Sequence, residues 1–249
     1  MTDPRSYVAP ADLLAGKNIL VTGAGDGIGR SAALAYARHG ATVWLLGKTE
    51  SKLEAVYDAI EAEGGAQPAI LPVDLATLSE PQAQTLAQTL AENIGHLDGL
   101  LHNASVLGER RPIESANYEA WCTVMQVNVN AQFLLTRSLL PLLTAAPAAS
   151  VVLTSSGVGR SGRAYWGAYA VSKFATEGFM QVLADELENT TNVRVNSLNP
   201  GGTNTAMRRT AYPAETPTDN PAPDDIMPTY LYLMGEDSLG VTGQAFNAQ

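Results

Sequence analysis

The chain has 249 residues, of which 45% are hydrophobic, and it carries a formal net charge of −10. This length is enough for one large α/β domain with a well-buried core, and no Pro/Ser-rich linker divides the chain, so we expect a single domain over residues 1–249. Lysines and arginines are few and scattered, so the basic face that nucleic-acid binding needs is missing. Nucleic acid is therefore not expected as a partner.

The sequence also indicates a compartment. Its single cysteine, Cys122, cannot form an internal disulfide, and the N-terminus MTDPRSYVAP lacks the charged-then-apolar pattern of a signal peptide. No apolar run approaches the roughly 18 residues of a membrane span. We therefore expect a cytoplasmic protein with no membrane partner. Because Cys122 lies among apolar neighbours, we interpret it as a small packed residue rather than a nucleophile.

In chain order, an N-terminal arm over residues 1–16 precedes a predicted strand, a glycine-rich turn and a helix. The apolar run 19–21 stops at Thr22, and a helical pattern follows the glycines. Glycines lack a Cβ atom, so the backbone turns tightly and a ligand can approach the N–H groups at the positive end of the helix. The sequence contains no G-K-[ST], so this turn favours a dinucleotide over a nucleoside triphosphate.

Downstream of this turn, apolar runs alternate with helical patterns. The runs are mostly continuous, which is typical of parallel strands covered by helices on both faces. Two capping boxes, Ser51 with Glu54 and Ser79 with Gln82, predict the starts of two helices. We expect an α/β fold, a single-domain Rossmann-like, doubly wound, mostly parallel seven-stranded sheet with helices on both faces. The strands are predicted at residues 18–21, 42–46, 69–73, 99–102, 151–154, 193–198 and 244–247.

Two longer helices and one loop complete the prediction. An apolar helix over residues 118–145 is expected to bend near Pro141, whose missing N–H interrupts the hydrogen-bond ladder. Another helix is predicted over residues 168–188. The segment 207–225 holds four prolines and few large apolar residues, so it is predicted to be a loop or short lid, the substrate loop.

Three polar side chains are candidates for proton chemistry. Tyr169 and Lys173 are four residues apart on a predicted helix, so both side chains lie on one face. A lysine ammonium beside a phenol favours the phenolate and lowers the phenol pKa from about 10. Ser156 follows a predicted strand, where open α/β sheets bind their ligands. Each feature alone is more often structural: a surface pair for Tyr169 and Lys173, a turn residue for Ser156.

Taken together, the motifs resemble the short-chain dehydrogenase/reductase family over residues 16–249. The narrower segments GKTESKLE and NPGGTNTAM are similar to the YciK-type bacterial oxidoreductases within that family. In two places the chain departs from the family pattern, since HNAS stands where the family usually has NNAG, and the usual closing DGG is missing. The matching motifs are TGAGDGIG from Thr22 to Gly29, Asn103-Ala-Ser, Asn128, Ser156, Tyr169-x-x-x-Lys173, and PGGTNT from Pro200 to Thr205.

This resemblance implies a hydride transfer between NAD(P) and a carbonyl/alcohol pair. Tyr169 would exchange the proton with the substrate oxygen, Ser156 would orient that oxygen, Lys173 would hold the nicotinamide ribose, and Asn128 would anchor a water. Asp74 would meet the adenine. The cofactor-binding residues that it implies are Thr22, Gly23, Gly25, Asp26, Gly27, Ile28, Gly29, Gly47, Lys48, Asp74, Leu75, Asn103, Ala104, Tyr169, Lys173, Pro200, Gly201, Thr203 and Thr205.

The choice of cofactor depends on the end of the second strand. A carboxylate there would bind both ribose hydroxyls and repel a 2′-phosphate, which selects NAD. Gly47 adds no negative charge, and Lys48 can place an ammonium beside a 2′-phosphate, so NADP(H) is preferred and NAD(H) is possible. Two observations leave the choice open: Lys48 can also be a solvated turn residue, and Asp26 stands where NADP-using relatives often carry a basic residue.

Assembly and catalysis each leave an alternative. Apolar outer faces on the two long helices resemble the family's four-helix contact and predict a homo-oligomer, either dimer or tetramer, through Phe133, Leu134, Phe179 and Leu183. The three histidines have no metal-ligand spacing, so no metal site is expected. The expected partner is a small-molecule carbonyl/alcohol substrate. The alternative to an oxidoreductase is a non-catalytic nucleotide-binding regulatory protein on the same fold.

Overall fold

A computed structural model describes residues 3–249, which form one seven-stranded sheet surrounded by eight α-helices. All neighbouring strands pair in parallel, so the expected parallel sheet is confirmed. The strands are β1 Asn18–Thr22, β2 Thr42–Gly47, β3 Ala69–Pro72, β4 Gly99–His102, β5 Ala149–Thr154, β6 Val193–Asn199 and β7 Ala245–Asn247. The helices are α1 Gly27–Arg38, α2 Glu50–Ala62, α3 Glu80–Ile94, α4 Tyr118–Met125, α5 Ala131–Ala145, α6 Gly167–Leu187, α7 Ala206–Ala211 and α8 Met227–Met234.

The strand order places a ligand crevice near the middle of the sheet. The order is β3-β2-β1-β4-β5-β6-β7, so the winding direction reverses between β1 and β4. Leu20 pairs with Trp44 of β2 on one side and with Leu100 of β4 on the other. Helices leave neighbouring strands in opposite directions at such a switch point, which opens a crevice at the carboxyl ends of the strands. This doubly wound topology is the predicted one.

Each face of the sheet has its own hydrophobic core. One core joins the strands to α1, α2 and α8, with Tyr36 and Tyr230 among its fully buried side chains. The other core joins the strands to α3, α5 and α6 through residues such as Leu90, Leu139 and Met180. Because both faces are covered, the strands are apolar throughout rather than alternating, as the sequence pattern indicated.

One of the two predicted capping boxes is confirmed. The backbone N–H of Ser79 donates to Oε1 of Gln82 at 2.9 Å, ahead of α3. The other is wrong, because α2 already begins at Glu50 with Thr49 at the N-cap, so Ser51 lies within the first turn. Its hydroxyl lies two positions past the N-cap, which is too late to cap the first N–H groups of the helix.

The predicted helix over residues 118–145 is interrupted by a wider turn. Residues Gln126–Asn130 form a π-helical turn between α4 and α5, while Pro141 lies within α5. A π-helical turn carries an extra residue and often occurs at functional sites. Here it places Asn128, which is fully buried, toward the loop that follows β4.

The predicted arm and loop both contain ordered structure. Leu14 is fully buried and Tyr7 donates its hydroxyl to Asp237 at 2.7 Å, so the arm packs into the core beside α8. Met1 and Thr2, the first residues of that arm, lie outside the described residues. The predicted substrate loop 207–225 overlaps α7 and is tied by ion pairing of Arg208 with Glu215.

Two expectations about burial are wrong. Cys122 is exposed, because α4 lies on the surface and buries only Val124 of its described residues. Leu183 is 5% exposed and belongs to the core under α6 rather than to its outer face, since it shares the inward stripe with Met180. Within residues 3–249, no helix combines the length and the apolar character needed to cross a membrane.

Candidate active site

The described chain forms a groove at the carboxyl ends of the strands. A cleft of about 360 Å³ and a neighbouring one of about 330 Å³ share the walls Gly23, Asp26, Ala104 and Ser105. The first cleft reaches Tyr169 and Lys173, whereas the second extends to β2 and its following turn. Ligand sites are expected at this switch point. The groove is therefore long enough to hold an extended ligand at one end and a smaller one at the other.

The glycine loop makes the wall that the two clefts share. Gly23 and Gly27 have φ values of 68° and 51°, a region that favours glycine. A Cβ atom at Gly29 would overlap the carbonyl oxygen of Gly23. Asp26 caps α1 by accepting the N–H of Gly27 at 2.8 Å. The loop therefore brings the backbone at the positive end of α1 against the groove, which fits a pyrophosphate.

Thr22 fastens this loop to β4. Its hydroxyl accepts the backbone N–H groups of Asn103 at 2.9 Å and Ala104 at 3.0 Å, and donates to the carbonyl of Leu101 at 3.2 Å. Thr22 is 1% exposed, so it supports the cofactor site from behind. Of the predicted cofactor residues, Gly29 also lies behind the walls, whereas the others face one of the clefts. The predicted catalytic residue Asn128 lines neither cleft.

The predicted triad converges on the first cleft. Tyr169 and Lys173 lie one turn apart on α6, and Ser156 follows β5. The Lys173 ammonium lies 5.6 Å from the centre of the Tyr169 ring and donates to the carbonyl oxygen of Thr154 at 2.8 Å. Burial lowers the pKa of Lys173 to about 8, and the nearby Glu177 carboxylate partly offsets this.

The Tyr169 phenol has the opposite pKa shift to the one expected. Burial raises its pKa to about 12, and the neighbouring hydroxyls of Ser156 and Ser105 partly offset this rise. The prediction of a lowered pKa was wrong because it counted the Lys173 charge and omitted desolvation. Tyr169 is only 8% exposed, and the ammonium is held by Thr154.

Asn128 uses its side chain to hold the loop after β4. Its Oδ1 accepts the N–H of Val106 at 2.9 Å, and its amide donates to the carbonyl of Val106 and to the Ser172 hydroxyl, both at 3.0 Å. Both amide hydrogens are therefore used within the protein. In this structure the Asn128 side chain holds the cleft wall in place, and it has no amide hydrogen left to donate to a water.

Two serines at the cleft were missed in the sequence. The hydroxyls of Ser105 and Ser155 are buried at the cleft walls, and among residues 3–249 neither makes a well-formed hydrogen bond, although the Ser105 hydroxyl lies close enough to the Tyr169 phenol to affect its pKa. Buried hydroxyls are normally paired, so these two are available to a ligand. A signal for Ser105 was present, since it stands where the family usually has glycine. Ser155 carried no signal beyond its place beside Ser156.

Two further contacts were also missed. The Lys52 ammonium lies 2.5 Å from Oδ2 of Asp26 and, with Lys48, lines the second cleft. The Gln249 amide donates to the carbonyl of Pro200 at 2.6 Å and of Gly202 at 3.1 Å, which fastens the loop that lines the first cleft. The periodicity of α2 did not indicate the contact of Lys52 with Asp26. The contact of Gln249 with Pro200 joins residues 49 positions apart, so it leaves no local signal in the sequence.

Apolar side chains form the substrate end of the first cleft. Trp166 is 6% exposed and packs against Tyr169 with ring centres 5.7 Å apart, so its ring forms part of the cleft wall. Leu107, Met207 and Ala211 complete this wall. Tyr165, by contrast, points to solvent. No group of three or more potential metal ligands occurs in the described part of the chain.

Comparison with known proteins identifies relatives of this chain. Residues 17–216 match the family described as short chain dehydrogenase. The uncharacterized oxidoreductase YciK of Escherichia coli (strain K12) is 56% identical over 243 residues, covering 98% of this chain and 96% of that protein. The expected similarity to the YciK-type oxidoreductases is thus confirmed.

Solved structures agree with this assignment. A short chain dehydrogenase from Shigella flexneri 2a str. 301, complexed with NADP, is 56% identical with a TM-score of 0.94, covering 96% of this chain and 100% of its own. Another from Escherichia coli CFT073, complexed with NADPH, is also 56% identical with a TM-score of 0.94, covering 97% and 100%. The chain belongs to the short-chain dehydrogenase/reductase family of oxidoreductases.

Proposed function

We propose that this protein transfers a hydride between NADP(H) and a carbonyl/alcohol substrate, with Tyr169 as the general acid/base. The observation that carries the proposal is that Ser156, Tyr169 and Lys173 line the cleft that is continuous with the glycine loop. A proton donor, a hydroxyl and a cation thus surround one space beside a nucleotide cradle. This combination meets the separate needs of carbonyl reduction.

The walls of the groove support NADP(H) as the cofactor. The cradle at the N-terminus of α1 suits a pyrophosphate, and the relatives described above were solved with NADP and NADPH. At the adenosine end, Lys48 and Lys52 supply positive charge, and Gly47 adds no carboxylate. These residues favour a 2′-phosphate, so NAD(H) is the weaker ligand.

The proton chemistry follows from burial of the Tyr169 phenol. When bound, NADPH supplies the hydride to the carbonyl carbon, and the carbonyl oxygen must gain a proton to become an alcohol. With a pKa raised to about 12, the Tyr169 phenol is protonated at neutral pH and donates that proton. Ser156 donates a hydrogen bond that orients the substrate oxygen.

Lys173 and Asn128 act on this donor from behind. Since the pKa of Lys173 is lowered only to about 8, its ammonium is charged at neutral pH and stabilises the phenolate left after proton donation. Asn128 holds the loop after β4 through Val106 and so keeps Ser105 at the cleft wall. It is a positioning residue in this proposal.

The remaining features concern assembly and location. We propose that the protein is cytoplasmic, as the sequence pattern of the N-terminus indicates. We also propose that it is a homo-oligomer, because α5 and α6 carry apolar side chains that are about half exposed in one chain. Residues 207–225 act as the substrate loop, and the arm over residues 1–16 takes no part in the chemistry. The exposed apolar side chains are Phe133 (47%), Val171 (44%), Phe174 (46%) and Val182 (57%).

A cofactor-oxidation assay over a panel of aldehydes and ketones tests the proposal. We expect NADPH oxidation with at least one carbonyl compound, slower oxidation of NADH, and loss of both in Tyr169→Phe. The reverse reaction is followed as NADP reduction by the matching alcohols. Tight NADPH binding without turnover in either direction would instead favour the non-catalytic nucleotide-binding protein.

A further inference from the structure

A group of arginines and aromatic rings borders the first cleft and is here called the rim: Arg110, Arg163, Trp166, Arg208 and Tyr212. Trp166 and Arg208 line the cleft itself, whereas Arg110 and Arg163 contact the aromatic rings of the group. We propose that the rim binds an anionic group on the substrate, so that the preferred substrate is a carbonyl compound bearing a carboxylate or phosphate. This inference rests on the proposed function, since it names the substrate class of that same cleft.

Aromatic stacking connects the rim to the reaction centre. The Trp166 ring lies beside the Tyr169 ring and is 5.8 Å from the centre of the Tyr212 ring. The Arg110 guanidinium lies over both, 4.6 Å from the centre of Trp166 and 5.0 Å from that of Tyr212. A guanidinium stacked by its face keeps its N–H edge free for a bidentate anion.

The ion pairs of the rim show which arginines are available. Arg208 lies 3.9 Å from the Tyr212 ring centre, but its Nε donates to Glu215 at 2.7 Å. Arg163 donates to the Tyr212 hydroxyl at 3.1 Å. Neither Arg110 nor Arg163 has an ion-pair partner among residues 3–249. Three rim arginines against one carboxylate leave an excess of two positive charges.

This local excess contrasts with the rest of the chain. The sequence has 25 acidic and 15 basic residues, a net charge of −10, so the rim is a local positive region on a chain that is negative overall. A positive mouth on an acidic protein attracts anions and concentrates them at the cleft. The rim therefore discriminates by charge at the site where the substrate enters.

A second, independent group belongs to a residue that lines the cleft. Trp166 is only 6% exposed. Its indole Nε1–H is buried and, in the described residues, has no hydrogen-bond partner. A buried donor without a partner is costly and is normally satisfied. A substrate oxygen in the cleft would satisfy it. The apolar wall of Leu107 and Met207 suits the carbon segment between the carbonyl and the anion.

Matched substrates test the inference by charge alone. We use 4-carboxybenzaldehyde, its methyl ester and 4-formylphenyl phosphate as NADPH-dependent substrates. We expect kcat/KM for a charged aldehyde to exceed that for the ester by about tenfold or more, mainly through KM, and expect added salt to reduce the difference. Comparing kcat/KM for 4-carboxybenzaldehyde with that for 4-formylphenyl phosphate shows which anion the rim prefers. Equal kcat/KM values for the charged and neutral aldehydes would overturn the proposal.

Rim variants identify the responsible side chains. Arg110→Gln and Arg163→Gln should each lower kcat/KM for the charged aldehyde about tenfold while changing the ester less than about twofold. Arg111→Gln is the matched control, because Arg111 is already paired with Glu109 at 3.0 Å. Equal losses for ester and acid in the rim variants would contradict a charge-specific role.

A binding measurement separates this inference from the proposed function. Calorimetric titration of the NADP-loaded protein with 4-hydroxymethylbenzoate and with benzyl alcohol needs no turnover. We expect tighter binding of the charged alcohol, lost in Arg163→Gln. If nothing is turned over but this difference persists, the reaction is wrong and the anion site stands. If both alcohols bind equally, the anion site is refuted even if aldehydes are reduced.

Discussion

Lys52 crosses the glycine loop and places its ammonium 2.5 Å from the carboxylate of Asp26. The loop leaves room for this crossing because position 25 is glycine, where an added Cβ would lie 2.9 Å from the Cβ of Lys52. The hydrogen bond from Lys52 is the main cause that lowers the pKa of Asp26. The pair therefore neutralises the one feature of the loop that argued against NADP(H).

Removing Lys52 should weaken cofactor binding. In Lys52→Ala the Asp26 carboxylate loses its counter-charge beside the pyrophosphate cradle, so we expect the Kd for NADPH and for NADH to rise roughly tenfold, or about 1.4 kcal/mol. The double variant Asp26→Asn/Lys52→Ala should recover most of that loss. Fluorescence titration measures all three proteins, and an unchanged Kd in Lys52→Ala would contradict the assigned role.

Lys48 should act on NADP(H) alone. Its side chain is exposed at the second cleft, where it can meet a 2′-phosphate. We expect Lys48→Ala to weaken NADPH binding by about 1–3 kcal/mol, the scale of a lost charge-assisted hydrogen bond, and to leave NADH nearly unaffected. Titration with both cofactors distinguishes the two lysines. An equal loss for both, or tighter NADH binding by the wild type, would reverse the preference.

These lysines show what the sequence could predict and what it could not. The strands were predictable because a strand covered on both faces needs a continuous apolar run, as in β5. Lys48 was predictable because it directly follows β2, where the site must lie. Lys52 was not, since its contact with Asp26 crosses 26 positions and depends on how α2 packs over the loop.

Burial was the other property that the sequence could not predict. Leu183 and Cys122 were assigned to the wrong environments because helical spacing shows which residues share a face but not which face turns inward. The pKa of Tyr169 was assigned the wrong direction for the same reason. Its neighbour in sequence, Lys173, was visible, whereas the desolvation that dominates depends on the whole fold.

Burial of Lys173 should cost stability at neutral pH. Its folded pKa of about 8 is below the unfolded value of about 10.4, so stability is lost as the pH falls through 10 to 8 and stays low below 8. We expect Lys173→Met to raise the free energy of unfolding at pH 7 by about 1–2 kcal/mol, after loss of the bond to Thr154, while abolishing turnover. Urea unfolding at pH 7 and pH 10 checks this. A variant less stable than wild type at pH 7 would contradict it.

The apolar outer faces of α5 and α6 should form the contact between subunits. We expect a dimer or tetramer by light scattering at micromolar concentration, and expect Phe174→Asp to shift it toward monomer by placing a charge in that contact. Val8→Asp is the control, since Val8 is 87% exposed on the N-terminal arm. A monomeric wild type would refute the contact.

The most direct test of the central claim compares wild type with Tyr169→Phe. The change removes one buried hydroxyl and little contact area, so NADPH affinity should stay within about twofold, while kcat/KM for aldehyde reduction should fall by about 10²- to 10⁴-fold through loss of the proton donor. Stopped-flow measurement of NADPH oxidation, with a parallel binding titration, gives both numbers. A Tyr169→Phe enzyme that reduces the aldehyde at the wild-type rate would show that Tyr169 does not transfer the proton.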